Sequence, residues 1–148
     1  MITRLLPEQI SKHWDVIKFA IESSLPPTID DHPDKMNRIL SSALSGGITV
    51  WVSHTIENEV NNFEGIGLTK FLYDDSSGTK SMLMYCMYGF NKIADSSWPI
   101  VMDSLVKFAK SRNCSKILAY SSIPYMVQRS KELGANTDYT FISFPLDN

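Results

Sequence analysis

The stretch from Ser81 to Phe90 (Ser-Met-Leu-Met-Tyr-Cys-Met-Tyr-Gly-Phe) is almost continuously apolar. A strand with one wet face alternates apolar and polar side chains. One that does not alternate is covered on both faces, so this segment reads as the central strand of a sheet with layers on either side. Its neighbours agree. Ile48 to His54 is rich in β-formers, Glu57 to Asn62 reads as a polar hairpin turn, and Phe63 to Tyr73 forms the next strand before an Asp74-Asp75-Ser76-Ser77-Gly78 turn. Three strands joined in this way make an antiparallel meander.

Helices precede and follow the meander. Trp14, Ile17, Ile21 and Leu25 recur at spacings of three and four, which predicts an amphipathic helix over His13 to Leu25, stopped by Pro26 and Pro27. Met36, Ile39, Leu40, Ala43 and Leu44 mark a second, closed by Gly46-Gly47. Downstream, Ser96 or Ser97 caps a helix with Pro99 in its first turn and Val101, Leu105, Phe108 and Ala109 as its core stripe. Lys116 to Ser121 reads as a short strand, Tyr125 to Leu133 as a helix ended by Gly134, and Tyr139 to Leu146 as a final strand. With Ile2 to Leu6 as an edge strand, the order is β-α-α-β-β-β-α-β-α-β: one α/β domain over residues 1–148, a length that supports a core without metal or disulfide staples.

The formal net charge of −2, with no run of Lys and Arg, argues against a nucleic-acid partner. No apolar stretch approaches the ~20 residues of a membrane span. Met-Ile-Thr-Arg-Leu-Leu-Pro-Glu turns polar too soon for a signal peptide. Cys86 and Cys114 lie in apolar stretches and read as free thiols of a reducing compartment, which points to the cytoplasm. Asp30, Asp31, His32 and Asp34 lack the spacing of a calcium or zinc site, so no metal is expected there. Trp14, Trp51 and Trp98 read as core or interface anchors.

The element order resembles that of the GNAT N-acetyltransferases over essentially the whole chain. The C-terminal half carries the resemblance best: a buried strand (Met82–Tyr88), a long helix (Trp98–Arg112), a strand (Lys116–Tyr120) and a helix closing on Lys131-Glu132-Leu133-Gly134-Ala135. That closing run is similar to the Lys-Leu-Gly-Phe ending of the family's penultimate helix. Short, glycine-poor chains of this kind also resemble bacteriophage proteins, which implies host cytoplasm or a virion as the location.

The resemblance implies acetyl-CoA as cofactor and an amine, free or on a protein, as acceptor. The pantetheine arm would lie along Tyr85 to Phe90, with Tyr85, Met87 and Tyr88 as its binding residues. The family's diphosphate loop, Arg/Gln-x-x-Gly-x-Gly/Ala, works because glycine backbone and a helix N-terminus present N–H groups to the anion. Here Gly89 to Pro99 has no glycine after Gly89, Pro99 removes a donor and Asp95 adds a negative charge, so the loop is eroded. Lys92, Ser96 and Ser97 are what remains to hold an anion. The family's tyrosine acid, four residues before the helix-ending glycine, is replaced by Ser130, with Tyr125 or Tyr120 as substitutes. Ser122 stands near the family's asparagine. Glu64, between Phe63 and Gly65, has two readings: a base acting through water, or a solvent-facing strand residue. The eroded loop keeps a second function open, a catalytically inactive GNAT-fold structural or interaction protein such as a phage virion or accessory component. An acyl-CoA sensor is a third.

Overall fold

The structure, a computed structural model, describes residues 1–146. Its elements are β1 (Ile2–Arg4), α1 (Pro7–Lys12), α2 (Trp14–Glu22), α3 (Lys35–Ser45), β2 (Ile48–Glu57), β3 (Val60–Asp74), β4 (Thr79–Gly89), α4 (Ser97–Ser111), β5 (Lys116–Ala119) and α5 (Pro124–Glu132). The five strands form one sheet in chain order. β1 to β4 pair antiparallel, and β5 joins β4 in parallel through the α4 crossover.

Each face of the sheet carries its own helical layer. On one, Ile10, Ile17, Ala20, Ile21, Ile39 and Ala43 of the first three helices pack against Val50, Leu68 and Leu83. On the other, Leu105, Phe108 and Ala109 of α4 meet Trp51 and Met82. Met82 and Leu83 are successive residues buried in opposite layers, as the unbroken apolar run of β4 predicts. Trp51 keeps its indole N–H satisfied inside the sheet by donating to Thr69 Oγ1 at 2.9 Å.

Three expectations change. The helix predicted over His13 to Leu25 is α2, which ends at Glu22, and an unexpected short helix, α1, opened by Pro7, precedes it, the chain breaking at His13 (φ −109°, ψ 21°) between the two. The β2–β3 turn shrinks to Asn58-Glu59, both at positive φ, a geometry that lets long twisted strands close through two residues. The last change is larger. Residues 139–146, expected as a final strand, form no ladder. A strand exists only where its N–H and C=O groups find a partner. This segment touches β5's end through Phe141, whose ring meets Tyr120 edge-on at 5.1 Å, without pairing to it.

Candidate functional site

β4 and β5 run together for four residue pairs, from Ser81 opposite Lys116 to Met84 opposite Ala119, and then part. β4 continues five residues further, to Gly89, with no strand on that side. The cause lies in its other ladder. Cys86 pairs with Leu68 and Met84 with Thr69, so Tyr85 is an extra residue, a bulge that bends β4 where its pairing with β5 ends. The result is a wedge whose β4 wall exposes main-chain hydrogen-bonding groups. Tyr85 and Tyr120, the first residues beyond the last pair, flank its closed end.

Burial sets the chemistry of that wall. Tyr85 is buried, and loss of hydration, with the Cys86 thiol as a smaller contribution, raises its phenol above the ordinary value, so it keeps its proton. Burial also pushes the Cys86 thiol up to about 11, against the opposing pull of a hydrogen bond with Ser24. Cys86 is therefore a core thiol and a poor nucleophile near neutrality. The Tyr88 ring packs edge-on against Phe19 of α2 (5.6 Å) and Phe90 (5.2 Å), while half-exposed Met87 takes the opposite face.

The loop leading into α4 is fastened to β3 by Glu64. Ser53 pairs with Gly65 and His54 with Phe63, which leaves Glu64 as the extra residue of a second bulge. That irregularity turns its side chain inward, and Glu64 is only 4% exposed. Its carboxylate accepts hydrogen bonds from Ala94 N (2.9 Å), Ser97 Oγ (3.1 Å) and Ser53 Oγ (3.0 Å). Its main-chain oxygen accepts from Phe90 N and Asn91 N, and Asn91 Nδ2 donates to the Phe63 carbonyl. Gly65 is required for this closeness, because a Cβ there would sit 2.8 Å from the Tyr88 carbonyl oxygen. The solvent-facing reading of Glu64 does not hold. The negative group at this loop is the protein's own.

The other sequence-selected residues fall in different places. Ser97 is buried and committed to Glu64, whereas Lys92 and Ser96 are exposed. Tyr125 is exposed at the start of α5, its hydroxyl 3.5 Å from Asp95 Oδ1. Ser130 donates its hydroxyl back to the Met126 carbonyl at 2.8 Å, which commits the group to its own helix. Trp98 is buried, so it forms no exposed patch. Among the described residues no three His, Cys, Asp or Glu side chains gather as metal ligands. Sequence reasoning missed Ser53 and Arg129. The latter ties α5 to the loop by donating through Nη2 to the Asp95 carbonyl at 2.9 Å. The only hint of the Glu64 bulge was the pair of glycines that follows it.

No family model and no curated protein matches the sequence. Solved structures do match it, over nearly its whole length. A probable acetyltransferase superposes with a TM-score of 0.70 at 10% identity, covering 100% of this chain and 99% of that one. An aminoglycoside acetyltransferase from an uncultured soil metagenomic sample, in complex with sisomicin, gives 0.65 at 12% identity over 100% and 95%. An acetyltransferase predicted in Clostridium acetobutylicum, solved with acetyl-CoA, gives 0.62 at 18% identity over 97% and 95%. With the mixed five-stranded sheet and its parting strands, these likenesses define the class: the chain has the GNAT fold.

Proposed function

We propose that this chain is an acyl-thioester-dependent N-acyltransferase-like protein of the cytoplasm, with acetyl-CoA as donor and an amine as acceptor. The parting of β4 from β5 after Met84 and Ala119 carries the reading. Free strand-edge amides and carbonyls suit the two amide groups of a pantetheine arm, which can pair with them as an added strand would. The structural likeness to a protein solved with acetyl-CoA supports the same donor.

The donor fits at one end only. Along Tyr85 to Gly89 the main chain is open to an arm. At the loop, Ala94 N and Ser97 Oγ are already spent on Glu64, Pro99 offers no N–H, and a diphosphate would approach a resident carboxylate. Acetyl-CoA would supply an activated acetyl group as its thioester. The chain's own contribution is to polarise the thioester carbonyl through a main-chain N–H of the β4 wall. Tyr85, at the bulge and kept protonated by burial, is the phenol this reading assigns as proton donor. Glu64, with its carboxylate engaged on three sides, is a poor candidate for the base. An acceptor amine arriving unprotonated needs none.

The Glu64 latch and the committed Ser130 hydroxyl favour a second reading, a GNAT-fold interaction module without catalysis, the virion or accessory component among its forms. Calorimetric titration with acetyl-CoA, followed by thiol release with a panel of primary amines, separates the two. The acyltransferase reading expects saturable binding weaker than about 100 µM and amine-dependent thiol release. Heatless titration at millimolar ligand leaves only the module.

A further inference from the structure

Three cations from three separate elements gather over a row of rings between α4 and the sheet. Trp51 and Phe108 meet edge-on at 5.1 Å, and Phe108 and Phe71 lie 5.8 Å apart. Arg4 of β1 sets its guanidinium carbon 4.9 Å from the Phe108 centroid and 5.8 Å from that of Trp51. Arg112, at the end of α4, brings a second guanidinium to the same Phe108 ring at 5.2 Å. Lys80, at the start of β4, holds its ammonium 4.7 Å from the Phe71 centroid. Sharing one ring centre keeps the two guanidiniums within reach of a single small molecule. Stacking holds a guanidinium by its face and leaves its N–H edge free. Among the described residues, none of the three side chains has an acidic partner. Arg4 and Arg112 are exposed, so their donor edges are open to a ligand. The chain's formal charge is −2, so this gathering of cations is no by-product of a basic composition. The negative end of the α4 dipole favours Arg112 in its place, but it does not account for Arg4 arriving from β1.

We propose that Arg4 and Arg112 form a binding site for a phosphate dianion, free or as a monoester, with Lys80 adding positive charge at its rim. A carboxylate has two oxygens, which one guanidinium fork fills. A phosphate has at least three acceptor oxygens and nearly two charges, so two forks can share it. Phe108 and Trp51 are 9% and 5% exposed, which leaves no ring face to stack a base and limits recognition to the anion. The rings serve to hold the forks in place. α4 runs from the loop fastened by Glu64 to Arg112, so this site lies roughly 20 Å from that loop. It does not depend on acyl transfer.

Calorimetric titration with inorganic phosphate at about pH 7.5 and fixed ionic strength tests it. Saturable binding with a dissociation constant under about 1 mM is expected, with acetate and malonate at least ~10-fold weaker. Glycerol phosphate binding as tightly identifies a monoester as the ligand, and its exclusion identifies the free ion. Arg4→Gln and Arg112→Gln should each weaken phosphate by at least ~10-fold, and Arg4→Lys, which keeps the charge and loses the fork, by about 5-fold. Lys18→Gln, paired with Glu22 on the helical layer of the other face, should change nothing. Circular dichroism checks that each variant is folded, and the Nε–H resonances of Arg4 and Arg112 should shift as phosphate is added. A constant above about 1 mM, acetate or malonate as tight as phosphate, or an affinity indifferent to both arginine substitutions would each overturn the proposal.

Discussion

The wedge has two unequal walls. On β4, Met82, Leu83, Tyr85 and Cys86 are each at most 7% exposed, locked between helical layers on both faces of the sheet. Past Ala109 no described residue is buried: β5, α5 and residues 133–146 carry only half-buried or exposed side chains. The first wall is held by packing. The second is held by four ladder pairs and by the Arg129 and Tyr125 contacts to Asp95. A wedge built this way is firm on the β4 side and adjustable on the other.

Leu68→Ala, at a fully buried position of the strand paired with β4, should break the firm wall most severely, costing about 3–4 kcal/mol in denaturant unfolding. Leu133→Ala on the loose side, where the residue is 37% exposed, should cost under ~1 kcal/mol. Equal costs would erase the contrast. Glu64→Ala should cost roughly 2–3 kcal/mol, because Ser53, Ser97 and Ala94 N lose a shared acceptor inside the protein. Faster amide exchange at Ala94 should accompany it.

Titration of Cys86 gives a smaller effect with a defined sign. The folded thiol titrates at about 11, above its ordinary 9.0, so the folded state holds a proton that the unfolded chain releases. The stabilisation is full below pH 9 and is lost as pH rises toward 11. Melting curves should show that loss in the native chain and a shallower one in Cys86→Ala. The smallest effect is expected for Arg129→Ala: under ~1 kcal/mol of stability, because its partners are at the surface, but quicker exchange of the amides between residues 90 and 96.

How far the sequence spoke follows the same division. The β4 run, the meander and the stripes of α2, α3 and α4 were legible because burial imposes periodicity, and burial governs that part of the molecule. The bulges were not. Inserting one residue in β3 reverses the facing of Glu64, and the two glycines after it are too weak a signal to announce the insertion, so a solvent-facing reading stayed open. The wedge itself depends on another such insertion, at Tyr85. Residues 139–146 show the opposite failure. Their composition is that of a strand, but composition cannot supply the neighbouring edge that makes one.

The proposal that Glu64 takes the place of a bound anion at the loop is tested most directly by comparing acetyl-pantetheine with acetyl-CoA in parallel calorimetric titrations. If Glu64 holds the loop amide and the β4 edge holds only the arm, the nucleotide end adds little. The two affinities should then agree within about 3-fold, or under ~1 kcal/mol. Acetyl-CoA binding more than about 100-fold tighter than acetyl-pantetheine, a gap near 2.7 kcal/mol, would mean that the loop does grip a diphosphate.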